Sequence, residues 1–272
     1  MPLVIPMRAT PLRYLRLLAV FYRTSIQTDM EYRADFFTRI VASLLGLITT
    51  VGSLSVAYNY TSTIKGWSFA QALVLVAIYY LMDGLIEMLI APNMRNVMGQ
   101  VREGTLDFVL LKPVSSQFLA SFRTVNIWRA ANVMVGIGLL GWTLSRLALA
   151  VGWAEAMAFA LTLAAGTAII YAFWLALVTL TFWVVRLENI EQIVWQAFEA
   201  GRYPIEIYPA WLRGTLTYVV PVAFIITVPA SAITGRLEWT AVLTAIAVAC
   251  MAVVAASAFW RFGTRNYTGA SA

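Results

Sequence analysis

The chain has 272 residues, 61% hydrophobic and only 12% charged, with a mean hydropathy of +0.78, which leaves too little charge to cover a soluble domain of this length. The net charge of +6 invites a nucleic-acid reading, but most of the arginines flank apolar runs, where membrane proteins carry them, so nucleic acid is set aside as a partner. There is no histidine and one cysteine, Cys250, inside an apolar run; zinc sites, Cys–His nucleophile pairs and disulfides are excluded, and Cys250 is expected to pack as a small core residue.

A helix needs roughly 20 apolar residues to cross the ~30 Å hydrocarbon core, and several runs reach that length. A closed barrel would need short alternating strands, which are absent from the pattern. The expected fold class is therefore an all-α integral membrane protein with six transmembrane helices. Met1–Thr10 does not read as a cleavable signal, so the mature chain is expected to start near Met1.

Residues 1–36 form the first unit. Leu12, Leu15, Ala19, Tyr22, Ile26 and Met30 recur at steps of three and four, with Arg13, Arg16 and Arg23 between them. This predicts an amphipathic helix lying on the cytoplasmic membrane surface, with a soluble partner-binding helix as the alternative.

Residues 37–272 form the membrane domain. Its spans are predicted at Phe37–Tyr58, Phe69–Ile90, Val125–Leu144, Trp153–Val185, Ile190–Thr234 and Thr240–Trp260. The 33-residue run Trp153–Val185 is read as one long span, since splitting it at Gly166 leaves two short pieces. Pro204, Pro209, Pro221 and Pro229 interrupt the fifth region. Either that span begins near Ile190 and ends in a proline-marked re-entrant hairpin outside, or Ile190–Arg213 lies on the inner surface and Thr215–Thr234 is the span. With both termini inside, fourteen of the nineteen Lys and Arg fall on the cytoplasmic side; Lys65, Arg146, Arg202, Arg213 and Arg236 fall outside. The second alternative moves Arg202 and Arg213 inside.

Between spans two and three stands Val101-Arg102-Glu103-Gly104-Thr105-Leu106-Asp107-Phe108-Val109-Leu110-Leu111-Lys112-Pro113-Val114-Ser115. Arg102, Glu103 and Asp107 can make charge-assisted bonds across a polar interface, Gly104 permits a tight turn, and Leu106, Leu110 and Leu111 are expected to anchor the segment under the spans. This pattern resembles the signature of ABC-2-type permeases, a Glu-Gly-Thr-Leu-acidic run leading through a proline into the third span. A second segment, Phe198-Glu199-Ala200-Gly201-Arg202-Tyr203-Pro204 with Tyr208-Pro209-Ala210-Trp211-Leu212 and Pro221, is similar to that family's region after span five. Arg202-Tyr203 departs from better-known branches, which carry apolar residues there. The closest fit is a bacterial branch whose substrates are mostly unassigned.

The resemblance implies a permease subunit of an ABC exporter in the bacterial cytoplasmic (inner) membrane. Arg102, Glu103, Gly104, Thr105, Leu106 and Asp107 would belong to the coupling helix that docks on the ATPase. Gly201, Pro204, Pro209 and Pro221 would build an outer re-entrant element, which favours the first reading of the fifth region. Arg186, Glu188 and Glu191 are a second candidate ATPase contact, or a solvated turn. No Gly-x-x-x-x-Gly-Lys-Ser/Thr loop occurs, so ATP and Mg are expected on two copies of a separate ATPase, with a second permease, identical or related, completing the pore.

Asp83 and Glu87, four apart within span two, are the remaining candidates. Carboxylates inside a membrane are costly and face a cavity or a partner. They could line the transport path, or pair with Arg95, Arg123 or Arg129. Two rival readings use them: an intramembrane enzyme, or a proton-coupled transporter.

Overall fold

In the computed structural model, the residues described are 11–31, 33–147, 151–184, 188–236 and 238–267. The Met1–Thr10 segment and Arg186 lie outside them.

The chain folds into helices α1 (Pro11–Met30) and α2 (Arg33–Tyr58), a small hairpin, then α3 (Phe69–Arg102), α4 (Asp107–Leu110), α5 (Ser116–Phe122), α6 (Ala130–Leu147), α7 (Trp153–Leu180) and α8 (Glu188–Glu199). A bent pair, α9 (Ala210–Val219) and α10 (Ala223–Ile233), precedes α11 (Trp239–Asn266). Among the described residues five helices are long and apolar enough to cross a membrane, or six if the bent pair is counted as one.

The hairpin pairs β1 (Thr63–Ile64) with β2 (Trp67–Ser68) through Lys65 and Gly66, both at positive φ, as the right-handed twist of a two-residue connection demands. Ser68 then caps α3 by accepting from Gln71 N–H, while the Gln71 side chain accepts from Ser68 N–H.

α3 is the centre of the molecule. Its first half is apolar on all sides, and Ala72 through Met82 are buried throughout, as a helix segment without a polar face requires. α6 packs along it at backbone contact. A Cβ on Gly136 would lie 2.5 Å from Leu81 N and 2.8 Å from Ala77 O, and one on Gly84 would lie 2.7 Å from Val133 N. α7 and α11 form the second long pair.

Several helix bounds differ from the sequence-based expectation. α3 does not stop near Ile90 but runs 34 residues to Arg102, about 51 Å at 1.5 Å per residue. Pro92 has no N–H to give the Met88 carbonyl; the backbone widens into a π turn at Ile86–Ile90, and Asn126 N–H fills that carbonyl at 2.9 Å. Asn93 locks the joint. Its amide donates to Leu89 O (2.8 Å) and Thr124 O (2.7 Å), and accepts from Thr124 N–H (2.7 Å). α7 runs unbroken through Gly166 and ends at Leu180, short of Val185. α11 carries Arg261 and Arg265 on its last turns. Cys250 faces outward on α11, because its neighbours Ala249 and Ala245 take the packed side.

The outer faces are apolar. Phe37, Val41, Leu45 and Ile48 on α2 and Leu243, Met251 and Val254 on α11 are exposed, a coating that only hydrocarbon or another membrane chain can satisfy. On α1, the Leu12, Leu15, Ile26 and Met30 stripe also points away from the protein. The opposite face of α1 docks on the chain before α6. Asp29 accepts from Ile127 N–H (2.9 Å), Trp128 Nε1 donates to Asp29 O (3.0 Å), and Tyr14 meets Phe118 edge-on.

Candidate functional site

The segment 102–115 emerges from the end of α3 through a turn that its sequence dictates. Thr105 N–H reaches back to Gln100 O (2.9 Å) and Gly104 N–H to Val101 O (3.2 Å), with Gly104 at φ +68°. This is a Schellman ending, in which the left-handed residue is the glycine. Leu106, fully buried, then fixes the segment to the core with Val109. Leu111 does not anchor it: it is 81% exposed, and Phe108 is 71% exposed, because the one-turn helix α4 has room for only one inward face. Leu110 packs at the margin. Arg102, Glu103 and Lys112 are exposed and Asp107 half-buried, so the outward surface mixes charge with two large apolar side chains. Ser115 closes the loop by capping α5 at Phe118 N–H.

About two to four turns back along α3 lies an ion network. Glu87, its side chain 8% exposed, receives Arg95 Nη2 at 2.7 Å and Nη1 at 3.2 Å, and Arg129 Nη2 at 3.1 Å. Arg95 Nε also donates to Glu191 Oε1 at 2.6 Å. Glu191 stands on α8, whose first residue is Glu188. α3, α8 and the start of α6 therefore share one charge cluster. It holds two carboxylates against two guanidiniums, the pairing that makes buried charge tolerable.

Asp83 goes elsewhere. Asn132 Nδ2 donates to Asp83 Oδ2 at 2.5 Å, and Ser43 Oγ donates to Asn132 Oδ1. This relay joins α2, α6 and α3. The two carboxylates read from the sequence as one face thus have separate partners. Asp83 stands on the regular helix and Glu87 inside the π turn that follows, and different neighbouring elements supply their partners. Ser43, Asn93, Asn126 and Asn132 were not singled out from the sequence; Pro92 within a long helix and asparagines beside apolar runs were the available signals.

At the opposite end of α3 the fifth region comes together. Arg202 stacks on the Tyr79 ring (4.6 Å) and donates to its hydroxyl (3.0 Å). Further on, Glu206 accepts from Trp67 Nε1 (3.1 Å). Chain 191–206 therefore runs antiparallel to α3, from Arg95 to Trp67. The next 30 residues leave and return to the same end, since Arg236 donates to the Gly66 carbonyl. α9 and α10 meet at 76° between these points. Pro221 causes the break: it cannot continue α9, and it pushes Val220 into an extended conformation (φ −110°, ψ 99°). Gly201 makes room for α10, as a Cβ there would lie 2.7 Å from Val222 Cγ1. Pro204 and Pro209 precede the short helical turns that start at Ile205 and Ala210.

Apolar-coated long helices around the buried apolar stretch Ala72–Met82 of α3 define a multi-pass membrane protein. The profile of the family described as ABC-2 family transporter protein matches residues 44–271, and the chain belongs to that family. It is thus an ABC-2-type permease. No curated protein and no solved structure matched the chain.

Proposed function

We propose that the chain is the membrane subunit of an ATP-driven exporter, moving its substrate across the bacterial cytoplasmic membrane with energy from a separate ATPase. The observation that supports this most is the form of segment 102–115. It is an exposed projection, fixed by Leu106 and the Gly104 turn to the end of a helix that runs the full depth of the molecule. A push on it moves α3 as a lever, and Arg95–Glu191 passes the motion to α8.

In this reading the Arg102 end faces the cytoplasm with both termini, and the Trp67 end faces outward. α9 and α10 form the outer re-entrant element, with Gly201, Pro204, Pro209 and Pro221 setting its turns. Arg102, Glu103, Gly104, Thr105, Leu106 and Asp107, with exposed Phe108 and Leu111, form the ATPase-docking surface; Glu191, with Glu188 and Arg186 nearby in sequence, stands behind it. Two ATPase subunits bind ATP and Mg, and two permease copies make the pore, with Asp83 and Glu87 placed beside its inner half. No bond is made or broken by this chain.

To test this, a single cysteine at Phe108 in a Cys250→Ser background is crosslinked after co-expression with a candidate partner ABC ATPase. A crosslinked permease–ATPase product, together with loss of co-purifying ATPase from the Phe108→Asp and Leu111→Asp variants, supports the reading. Full assembly and transport by those variants would overturn it.

A further inference from the structure

At the Trp67 end, a cavity of about 240 Å³ opens between the hairpin, α10 and the start of α11. Three charged side chains line it: Glu206, Arg236 and Glu238. Among the described residues, no ion pair within 4.0 Å joins Arg236 to either carboxylate. Each of the two inner groups is instead held in place by something neutral. Glu206 accepts from Trp67 Nε1; Arg236 lies over the Trp67 ring at 4.6 Å and donates to the Gly66 carbonyl. Trp67 itself is 1% exposed, packed into the core. Charges of opposite sign that share one small cavity would ordinarily collapse onto each other. Here a rigid indole keeps them apart.

The depth of the cavity is also fixed. Trp153 and Trp239 begin α7 and α11, Trp211 stands in the first turn of α9, and Trp142 lies near the end of α6. All four are exposed at this same end of the molecule, forming the aromatic belt that marks the level of lipid headgroups.

We infer that this cavity binds a zwitterionic ammonium–phosphate group, of the kind carried by phosphatidylethanolamine. The ammonium sits between Glu206 and Glu238, with Ser231 on the same wall, and the phosphate meets the Arg236 guanidinium. Arg236 presents a planar fork suited to phosphate oxygens. The inference needs only that this end of the protein lies at a membrane surface; it does not depend on the exporter reading.

The test uses the full chain purified with an equimolar mixture of phosphatidylethanolamine and phosphatidylglycerol, with retained lipid counted by native mass spectrometry. Wild type is expected to retain the ethanolamine lipid preferentially. Glu238→Gln, which leaves the backbone cap of α11 in place and changes an exposed side chain, is expected to lose that preference roughly tenfold, the effect of one charge-assisted contact, while Glu238→Asp retains it. Soluble phosphoethanolamine separates the two sources of this chemistry: displacement of the lipid assigns the site to the head alone, and no displacement assigns it to the intact lipid. Equal retention of both lipids by wild type, or a Glu238→Gln variant indistinguishable from wild type, would overturn the inference.

Discussion

Arg95 donates its Nε–H to Glu191 at 2.6 Å while its two terminal nitrogens hold Glu87 at 2.7 and 3.2 Å. One guanidinium therefore ties the long central helix α3 to α8, 96 residues later in the chain. The three-way contact uses the planar fork of arginine, which lysine does not supply. Replacing Arg95 with alanine leaves Glu87 with Arg129 alone. The expected loss is about 1–3 kcal/mol, below the 3–5 typical of a fully orphaned buried charge, because Arg129 remains and Arg95 is partly exposed. Thermal unfolding in detergent reads it. Arg95→Lys should recover part of the loss, and Glu191→Gln should cost less than Arg95→Ala. An unchanged unfolding temperature in Arg95→Ala would remove the network from the account of stability.

Asn93 is 2% exposed and makes three hydrogen bonds at the π turn. Asn93→Ala strands the Thr124 N–H and carbonyl, and is expected to destabilise by about 1–3 kcal/mol for each group left without a partner. Asn93→Asp keeps the acceptor for Thr124 N–H but loses both donated bonds. Its expected stability lies at or below that of the alanine variant, since a buried charge is added. An Asn93→Leu variant as stable as wild type would show that the joint holds without the amide.

Glycine positions on α6 give an internally controlled comparison. Gly136 meets the α3 backbone, whereas nothing lies within 4 Å of where a Gly138 Cβ would stand. Gly136→Ala forces the two helices apart, with an expected cost of about 1–3 kcal/mol. Gly138→Ala should be neutral or slightly stabilising, as alanine favours helix. Equal unfolding temperatures for the two variants would contradict the close approach of α3 and α6.

Gly104 holds φ at +68° in the turn that launches segment 102–115. Alanine there costs about 1–2 kcal/mol of backbone strain, confined to the turn. Asparagine, which tolerates this region better, should cost less. Thermal unfolding should show Gly104→Ala destabilised by no more than that strain. Association with the ATPase should weaken in the order Gly, Asn, Ala. Association in the reverse order would separate the turn from docking.

How far the sequence reaches can be read from particular residues. Long apolar runs such as Phe37–Tyr58 and Trp153–Leu180 announce membrane helices on their own, because crossing hydrocarbon requires length and hydrophobicity within one continuous segment. Glu103-Gly104-Thr105 and the prolines 204, 209 and 221 were equally legible, since turn chemistry acts between near neighbours. The continuation of α3 past Pro92 was not legible. It depends on Asn126 N–H and the Thr124 backbone, more than thirty residues away, supplying the bonds that proline removes. The pairing of Glu87 with Arg95 and Arg129 was among the alternatives the sequence offered, whereas the Asn132 partner of Asp83 and the Glu191 contact of Arg95 were hidden for the same reason. Spacing placed Asp83 and Glu87 on one helix; Asn132 and Arg129, from α6 and the turn before it, and Arg95, itself held by Glu191 of α8, are the partners the fold gives them. The cavity beside Trp67 joins residues 67, 206, 231, 236 and 238, which only the return of the α9–α10 pair brings together. Composition and local pattern determined that this chain lives in a membrane as helices; which charges meet there was decided by tertiary packing, because a buried charge takes its partner from whatever the fold brings within a few ångströms.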